Sequence, residues 1–185
     1  MPKELPSPEL LRKLLRYEPD TGKLYWRKRT PDMFKSGKFS SECICASWNK
    51  RYANRLALAS KNNWGYLIGR ISDRLYKSHR VIWAIFYGDW PDEHIDHING
   101  IRDDNRIVNL RSVSNAENGM NTKLPATNTS GACGVFWHKK NEKWIAQINV
   151  NGRRKHIGSF ADKNDAIVAR KNAEIKYGYH ENHGR

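Results

Sequence analysis

Cysteine is scarce in this chain, and long apolar stretches are missing. Only three Cys occur among 185 residues. An odd count cannot pair fully, which argues against a disulfide-stapled scaffold and suits a reducing compartment. Cys43 and Cys45 flank a single residue and Cys133 stands alone, so the spacing of a zinc knuckle is lacking and all three read as ordinary thiols. The longest apolar run, Val81 to Phe86, is far shorter than the roughly 20 residues that a membrane-spanning helix needs. The opening MPKELPSPELL has no apolar stretch of the secretory kind, and no membrane partner is expected. Acidic residues are in deficit as well: 19 Asp and Glu face 33 Lys and Arg, leaving a net charge of +14.

What is present is enough for one or two small folded domains. The chain is 38% hydrophobic and 28% charged, with seven Trp, a composition that can bury cores and is unlike a disordered tail. The charge is unevenly spread. Residues 1–63 carry 14 basic against 6 acidic groups, residues 64–130 carry 8 against 8, and residues 131–185 carry 11 against 5. Basic flanks around a neutral centre suit a polyanion gripped at both ends, with central carboxylates kept for a metal. Charge alone is equally compatible with solubility.

Taken in order, Ser7-Pro8-Glu9 opens a helix, with Ser as cap and Pro at the first helical position. Leu10, Leu11, Leu14 and Leu15 form its apolar stripe, running to near Tyr17. A turn at Asp20-Thr-Gly22 leads to a strand over 23–28. Residues 30–63 show no convincing period, and Arg27, Lys28, Arg29, Lys50, Arg51 and Arg55 are either phosphate followers or solvated surface. A hairpin turning at Ser72-Asp73-Arg74 precedes a helix from His79 to Tyr87, capped by Ser78 and stopped by Gly88. Val81, Ile82, Trp83, Ile85 and Phe86 are its core candidates, and His79 is assigned to packing or to a phosphate contact.

The stretch EHIDHINGIRDDNRIVNLRSVSNAENGMNT, residues 93–122, concentrates the chemistry. Asp96 and His97 are adjacent, Asn99-Gly100 is a turn dipeptide, and Leu110 to Val113 is short and strand-like. Ser114 to Glu117 reads as a capping box, placing Asn118 inside a helix. Successive residues of a regular strand face opposite sides, so Asp96 and His97 can serve one phosphate only where the strand ends and bends.

Residues 122–131 read as a linker of Pro, Thr, Asn, Ser and Gly. Beyond it come strands over 135–140, 143–150 and 153–160, joined by turns at Asn141-Glu142 and Asn151-Gly152. A helix capped by Asp162 follows, with Ala166, Ile167, Ala169, Ala173 and either Ile175 or Tyr177 inward. Alternation puts Trp144, Ala146, Ile148 and Val150, with Val135, Trp137 and Ile157, beneath this helix. Ile145, Phe136, His138, Gln147, Asn149, Arg154 and His156 take the other face, a polar and basic surface that can enter a DNA groove.

Asp96-His97, Asn109 within VNLR, and Asn118 nine residues on resemble the HNH nucleases, especially the homing-type enzymes of phages and mobile introns, with Asn in place of the last His. Residues 134–178 resemble the Apetala-type (ethylene-response-factor) DNA-binding domain, although Gln147, Asn149 and His156 stand where plant members carry more Arg. The two resemblances imply an α+β protein: a ββα-metal (His-Me finger) module over residues 64–121, preceded by a basic helix-and-strand region over 1–63. A small three-stranded antiparallel sheet with one packing helix would then occupy 132–185. They further imply a DNA phosphodiester hydrolase with His97 as general base, Asp96 and Asn118 holding one Mg²⁺ or Mn²⁺, and Asn109 orienting the His97 loop. Arg102, Arg106 and Arg111 are candidate phosphate contacts. His138, Gln147, Asn149, Arg154 and His156 are candidate DNA readers. Double-stranded DNA is the expected partner, the chain being a monomer or homodimer in a bacterial cytoplasm. A non-catalytic DNA-binding regulator is the alternative.

Overall fold

In the computed structural model, which describes residues 4–114, 124–150, 152–179 and 183–184, the chain divides into two compact units, Met1–Ser112 and Val113–Arg185. It is a mixed α/β protein built on small antiparallel sheets. Among the described residues no helix is long and apolar enough to cross a membrane.

The first unit opens with α1 (Pro8–Leu14), where Ser7 Oγ accepts from Leu10 N at 3.2 Å. The helix stops sooner than its Leu stripe suggests. Leu15 is already extended and begins β1 (Leu15–Glu18), which pairs antiparallel with β2 (Lys23–Trp26). The pairing keeps Leu15 and Leu24 buried beside Leu11 and Leu14, so the apolar stripe is satisfied by a helix followed by a strand.

Residues 30–63 contain α2 (Ser41–Tyr52), started by Ser40, whose Oγ accepts from Cys43 N. Cys45 is its one fully buried residue, too thin an apolar stripe to show as a period. An aromatic and amide seam secures it instead. Asn49 accepts from Arg29 N at 2.8 Å and donates to Arg29 O at 2.9 Å. Trp48 stands edge-on to Trp26 at 5.7 Å, and the Arg29 guanidinium lies 3.9 Å over the Trp48 ring. Arg29 is therefore a packed cation–π partner, unlike the exposed phosphate follower that its sequence neighbourhood suggests.

β3 (Leu56–Ala57) pairs with β2, and β4 (Ser60–Lys61), β5 (Leu67–Ile71) and β6 (Arg74–Lys77) form a second antiparallel sheet. Ser72 and Asp73 both take left-handed conformations, with φ of 46° and 66°, which suits the two-residue hairpin they make. Next comes α3 (Ser78–Tyr87), ended by Gly88 at φ 88°. Ser78 is its first helical residue and not its cap. The Ser78 hydroxyl donates to Leu58 O at 2.6 Å, leaving Lys77 at the cap position without a side-chain bond. Val81, Ile82 and Ala84 are buried, whereas Phe86 faces outward and is half exposed. The α3 residues share one core with Leu11, Leu14, Leu15, Leu24, Leu58, Ile71, Ile95 and Leu110. Each fully buried Leu, Ile or Val in it contributes about 1.5–3 kcal/mol. The final pair, β7 (His94–His97) and β8 (Leu110–Val113), makes a two-stranded sheet.

In the second unit, β9 (Val135–His138), β10 (Lys143–Val150) and β11 (Arg153–Phe160) form an antiparallel sheet in the order β11-β10-β9. Asp162 caps α4 (Lys163–Lys176), its Oδ1 accepting from Asn164 N and Asp165 N. Gly152 carries the expected left-handed turn, φ 75°, while Asn151 lies outside the described residues. Val135, Ala146 and Ala166 are the buried centre, with Trp144, Ile157, Phe160 and Ile167 against them. A register shift at Ala146/Gln147 sets Gln147 opposite His156, so strict alternation does not run through β11. Of the two alternatives at the end of α4, Ile175 is 80% exposed and Tyr177 is half-buried. The segment before β9 is braced locally: Asn128 Oδ1 accepts from Gly131 N at 2.7 Å, and Ser130 is buried.

Candidate active site

β7 ends where its two chemical residues stand. Gly100 N donates to His97 O at 2.8 Å and Ile101 N to Asn99 Oδ1 at 2.8 Å, turning the chain immediately after His97. The local code is Asn-Gly: Asn99 supplies the side-chain acceptor, and Gly100 the positive φ of 72°.

His97 is buried, 5% exposed, and its Nε2 lies 2.9 Å from Asn105 Oδ1. A carboxamide oxygen only accepts, so Nε2 carries the hydrogen and Nδ1 the lone pair. Burial pushes the imidazole pKa below its usual range, and Arg102 acts in the same sense. The Asn105 bond and the carboxylates of Asp96 and Asp104 pull the other way. The net result is a neutral ring at cellular pH, the form that can accept a proton.

A ring of aromatics walls this imidazole. His79 meets His97 edge-on at 5.1 Å, and Tyr66 lies 5.9 Å from His97 and 5.3 Å from His79. Burial, followed by the neighbouring His97, lowers the His79 pKa to about 3, and its Nδ1 has no hydrogen-bond partner. His79 is thus a buried ring packed against His97 and Tyr66.

Asn109 holds the loop that follows His97. Its Nδ2 donates to Asn99 Oδ1 at 3.0 Å and to Asp104 O at 2.8 Å, and its Oδ1 accepts from Asn99 N at 2.9 Å. Asp104 receives Arg106 Nε at 2.8 Å, Arg106 Nη2 at 2.6 Å and Asn99 Nδ2 at 2.7 Å. Arg106 foremost, then Asn99, holds its carboxyl down at about 2. Two further ties run to the β4–β5 hairpin: Lys61 to Asp103 at 2.7 Å, and Arg102 Nη1 to Trp64 O at 2.8 Å.

Asp96 receives Arg111 through Nε at 3.1 Å and Nη2 at 2.8 Å, both on Oδ2. Its side chain is partly open, 19% exposed. A hard carboxylate oxygen one residue from a neutral imidazole has the donor chemistry that Mg²⁺ or Mn²⁺ requires. Asn118, the second expected ligand, lies outside the described residues, as does Glu117 of the expected capping box. Among the described residues no three His, Cys, Asp or Glu side chains form a cation cluster.

The expected site residues thus gather in part. Asp96 and His97 lie at the end of β7, Asn109 grips the loop between them and β8, and Arg102, Arg106 and Arg111 each spend part of their guanidinium on this same region. In the second unit, Gln147 pairs with His156, and Asn149 with Arg154. His138 pairs with Lys143 and caps a turn through Nδ1, 3.3 Å from Asn141 N. Sequence reasoning overlooked Asn105, which sits in a polar run (DDNR) that reads as solvent-facing loop. The only hint is its place just ahead of the apolar Ile107 and Val108.

One comparison with known proteins falls on this region. An HNH endonuclease family profile matches residues 76–120. Protein 3.8 of Escherichia phage T7 is 33% identical over 84 residues, covering 45% of this chain and 69% of the relative. No solved structure matches the chain.

Proposed function

Since this chain belongs to the same family as Protein 3.8 of phage T7 and carries an HNH endonuclease domain, we propose that it is a metal-dependent, site-selective DNA endonuclease of the homing type. The observation that carries the reading is the buried bond from His97 Nε2 to Asn105 Oδ1, 2.9 Å long, which leaves a neutral base with its lone pair on Nδ1.

Phosphodiester hydrolysis needs a deprotonated water in line with the scissile bond, relief of charge on the phosphorane, and a stabilised leaving oxygen. His97 takes the proton from water. Asp96 and Asn118 would hold one Mg²⁺ or Mn²⁺, which when bound supplies neutralisation of the phosphate and of the departing 3′ oxygen. Asn109 keeps the loop of residues 99–104 in place beneath the base. The free edges of Arg102, Arg106 and Arg111 face phosphate oxygens, since a guanidinium has five donors and each of these spends only some of them on the protein. On this reading the site is of the ββα-metal kind.

In the second unit, the face bearing Gln147, Asn149, Arg154 and His156, with His138 nearby, reads DNA in the manner of an Apetala-type sheet. The cross-strand pairing of Gln147 with His156 and of Asn149 with Arg154 supports this, because adjacent polar pairs on one ribbon can reach neighbouring base edges in the major groove. The full module spans 132–185. The protein acts in the cytoplasm of a bacterial host, as a monomer that cuts one strand per binding event.

Supercoiled plasmids carrying phage and host DNA fragments, incubated with Mg²⁺ or Mn²⁺, should yield open circles before linear DNA. Chelator and His97→Ala should both abolish the product. Direct linearisation at low enzyme concentration would contradict the monomer, and absence of any metal-dependent product would sink the nuclease reading. One contact favours the rival, a DNA-binding regulator without catalysis: Arg111 already neutralises Asp96 as a structural ion pair would. That rival expects Asp96→Ala to leave DNA binding and every DNA-dependent activity unchanged.

A further inference from the structure

We propose that Asn105 is the positioning residue for the base, and that the N-terminal β1–β2 hairpin is a working part of the active site because it fixes Asn105. The inference rests on the nuclease reading for its catalytic consequence, but its structural content stands on separate contacts.

Asn105 is completely buried, 0% exposed. Its Oδ1 is the group on His97 Nε2, and its Nδ2 is buried with no partner. A buried orphan donor is costly, and an apolar side chain of the same size would avoid that cost. The carboxamide here gains one contact in return, the oxygen that accepts from His97. That contact decides which ring nitrogen keeps the lone pair.

The backbone of Asn105 is clamped by residues far away in sequence. Tyr17 Oη donates to Asn105 O at 3.1 Å and accepts from Ile107 N at 2.9 Å, bridging the two peptides on either side of Arg106. Gly22, at the β1–β2 turn, has φ 69°, and a Cβ there would lie 2.5 Å from Arg106 N and 2.6 Å from Asn105 C. Only a residue without a side chain allows so close an approach. The hairpin turn and the Tyr17 hydroxyl therefore hold residue 105 from both sides, and the position of His97 Nε2–H follows from them. Asn109 does a separate job, binding Asn99 and Asp104.

The test uses the full chain labelled with ¹⁵N-histidine, with His97 assigned from His97→Gln, at about pH 8, where a histidine is neutral. Two-bond ¹⁵N–¹H correlations should show His97 as the Nε2–H tautomer. Asn105→Leu, close in size but lacking an acceptor, should convert the ring to a mixture or to Nδ1–H and lower nicking at least tenfold. Asn105→Asp keeps an acceptor oxygen and should restore the wild-type tautomer and nicking within a few-fold. Gly22→Ala and Tyr17→Phe should shift the same His97 resonances, with smaller losses of nicking. They serve as the test if Asn105→Leu does not fold. Unchanged His97 tautomer in Asn105→Leu, or in both hairpin variants when those must stand in, would overturn the assignment. The two readings separate cleanly. A protein that never nicks DNA yet shows the tautomer shift retains the positioning role and loses the nuclease one. Nicking and tautomer both indifferent to residue 105 have the opposite meaning.

Discussion

Arg111 holds Asp96 through two nitrogens on the same carboxylate oxygen, Oδ2, at 3.1 and 2.8 Å. On the nuclease reading, a divalent cation held by Asp96 would compete with this guanidinium for the carboxylate. Arg111→Gln should lower the Mg²⁺ concentration for half-maximal nicking several-fold, because the cation no longer competes with a fixed positive charge. A metal titration of nicking checks this. A rise in that concentration, or no change in it, would overturn the competition between Arg111 and the cation.

His97→Ala should reduce nicking by about 10²–10⁴-fold, the usual range for a general base, with DNA affinity changed only a few-fold. Asn118→Ala should reduce nicking and raise the metal requirement together. Nicking measured alongside gel-shift affinity separates loss of chemistry from loss of binding.

Asp104 gives the loop after His97 an acid-sensitive brace. Its folded carboxyl titrates at about 2, below the ordinary value of about 3.9. A depressed carboxylate stabilises the folded state fully above that ordinary value, and the contribution fades as pH falls from about 4 towards 2. Asp104→Asn should lower Tm by a few degrees at neutral pH, with the gap to wild type closing near pH 2. Thermal melts across that window decide it; a constant gap would mean that shape, not charge, matters.

His79 works in a higher window. Its folded pKa of about 3 lies below the unfolded value of about 6.5, so the unfolded chain binds more protons between the two. Stability is present above about pH 6.5 and declines as pH falls towards 3. His79→Phe keeps a ring against His97 and Tyr66 but removes the orphaned nitrogen. It should flatten the decline between neutral pH and pH 5, as followed by denaturant midpoints.

Arg154→Ala on the exposed face of β11 should cost about 1–3 kcal/mol in binding to a cognate sequence and relax selectivity at the contacted position. Lys155, its neighbour, bonds Tyr177 Oη at 2.7 Å on the opposite face, so Lys155→Ala should leave base selectivity alone. Paired affinity measurements on specific and random DNA test the contrast.

How much of this could be read from the letters depends on the kind of signal. Strong local codes announced themselves: Ser7-Pro8 for α1, the turn ending α3 at Gly88, Asn99-Gly100 after His97, and Asp162 for α4. Elements held by tertiary contacts did not. α2 buries one Cys and is secured by Trp48 and Asn49, so no periodicity marks it. β1 hides inside a Leu stripe that also suits a helix. Asn105 looks like one more polar loop residue, because nothing within its own segment reveals that Tyr17 and Gly22, more than 80 positions earlier in the sequence, enclose it. Its burial is a property of chain return, which local composition does not encode.

The single core running from Leu11 to Leu110 also bears on how such an HNH module can be borrowed or exchanged between genes. A fragment starting at residue 64 would leave Val81 and Ile82 facing water where Leu11 and Leu14 belong. On the nuclease reading, a recombination event that keeps activity has to carry the first helix and hairpin along with the loop that follows His97.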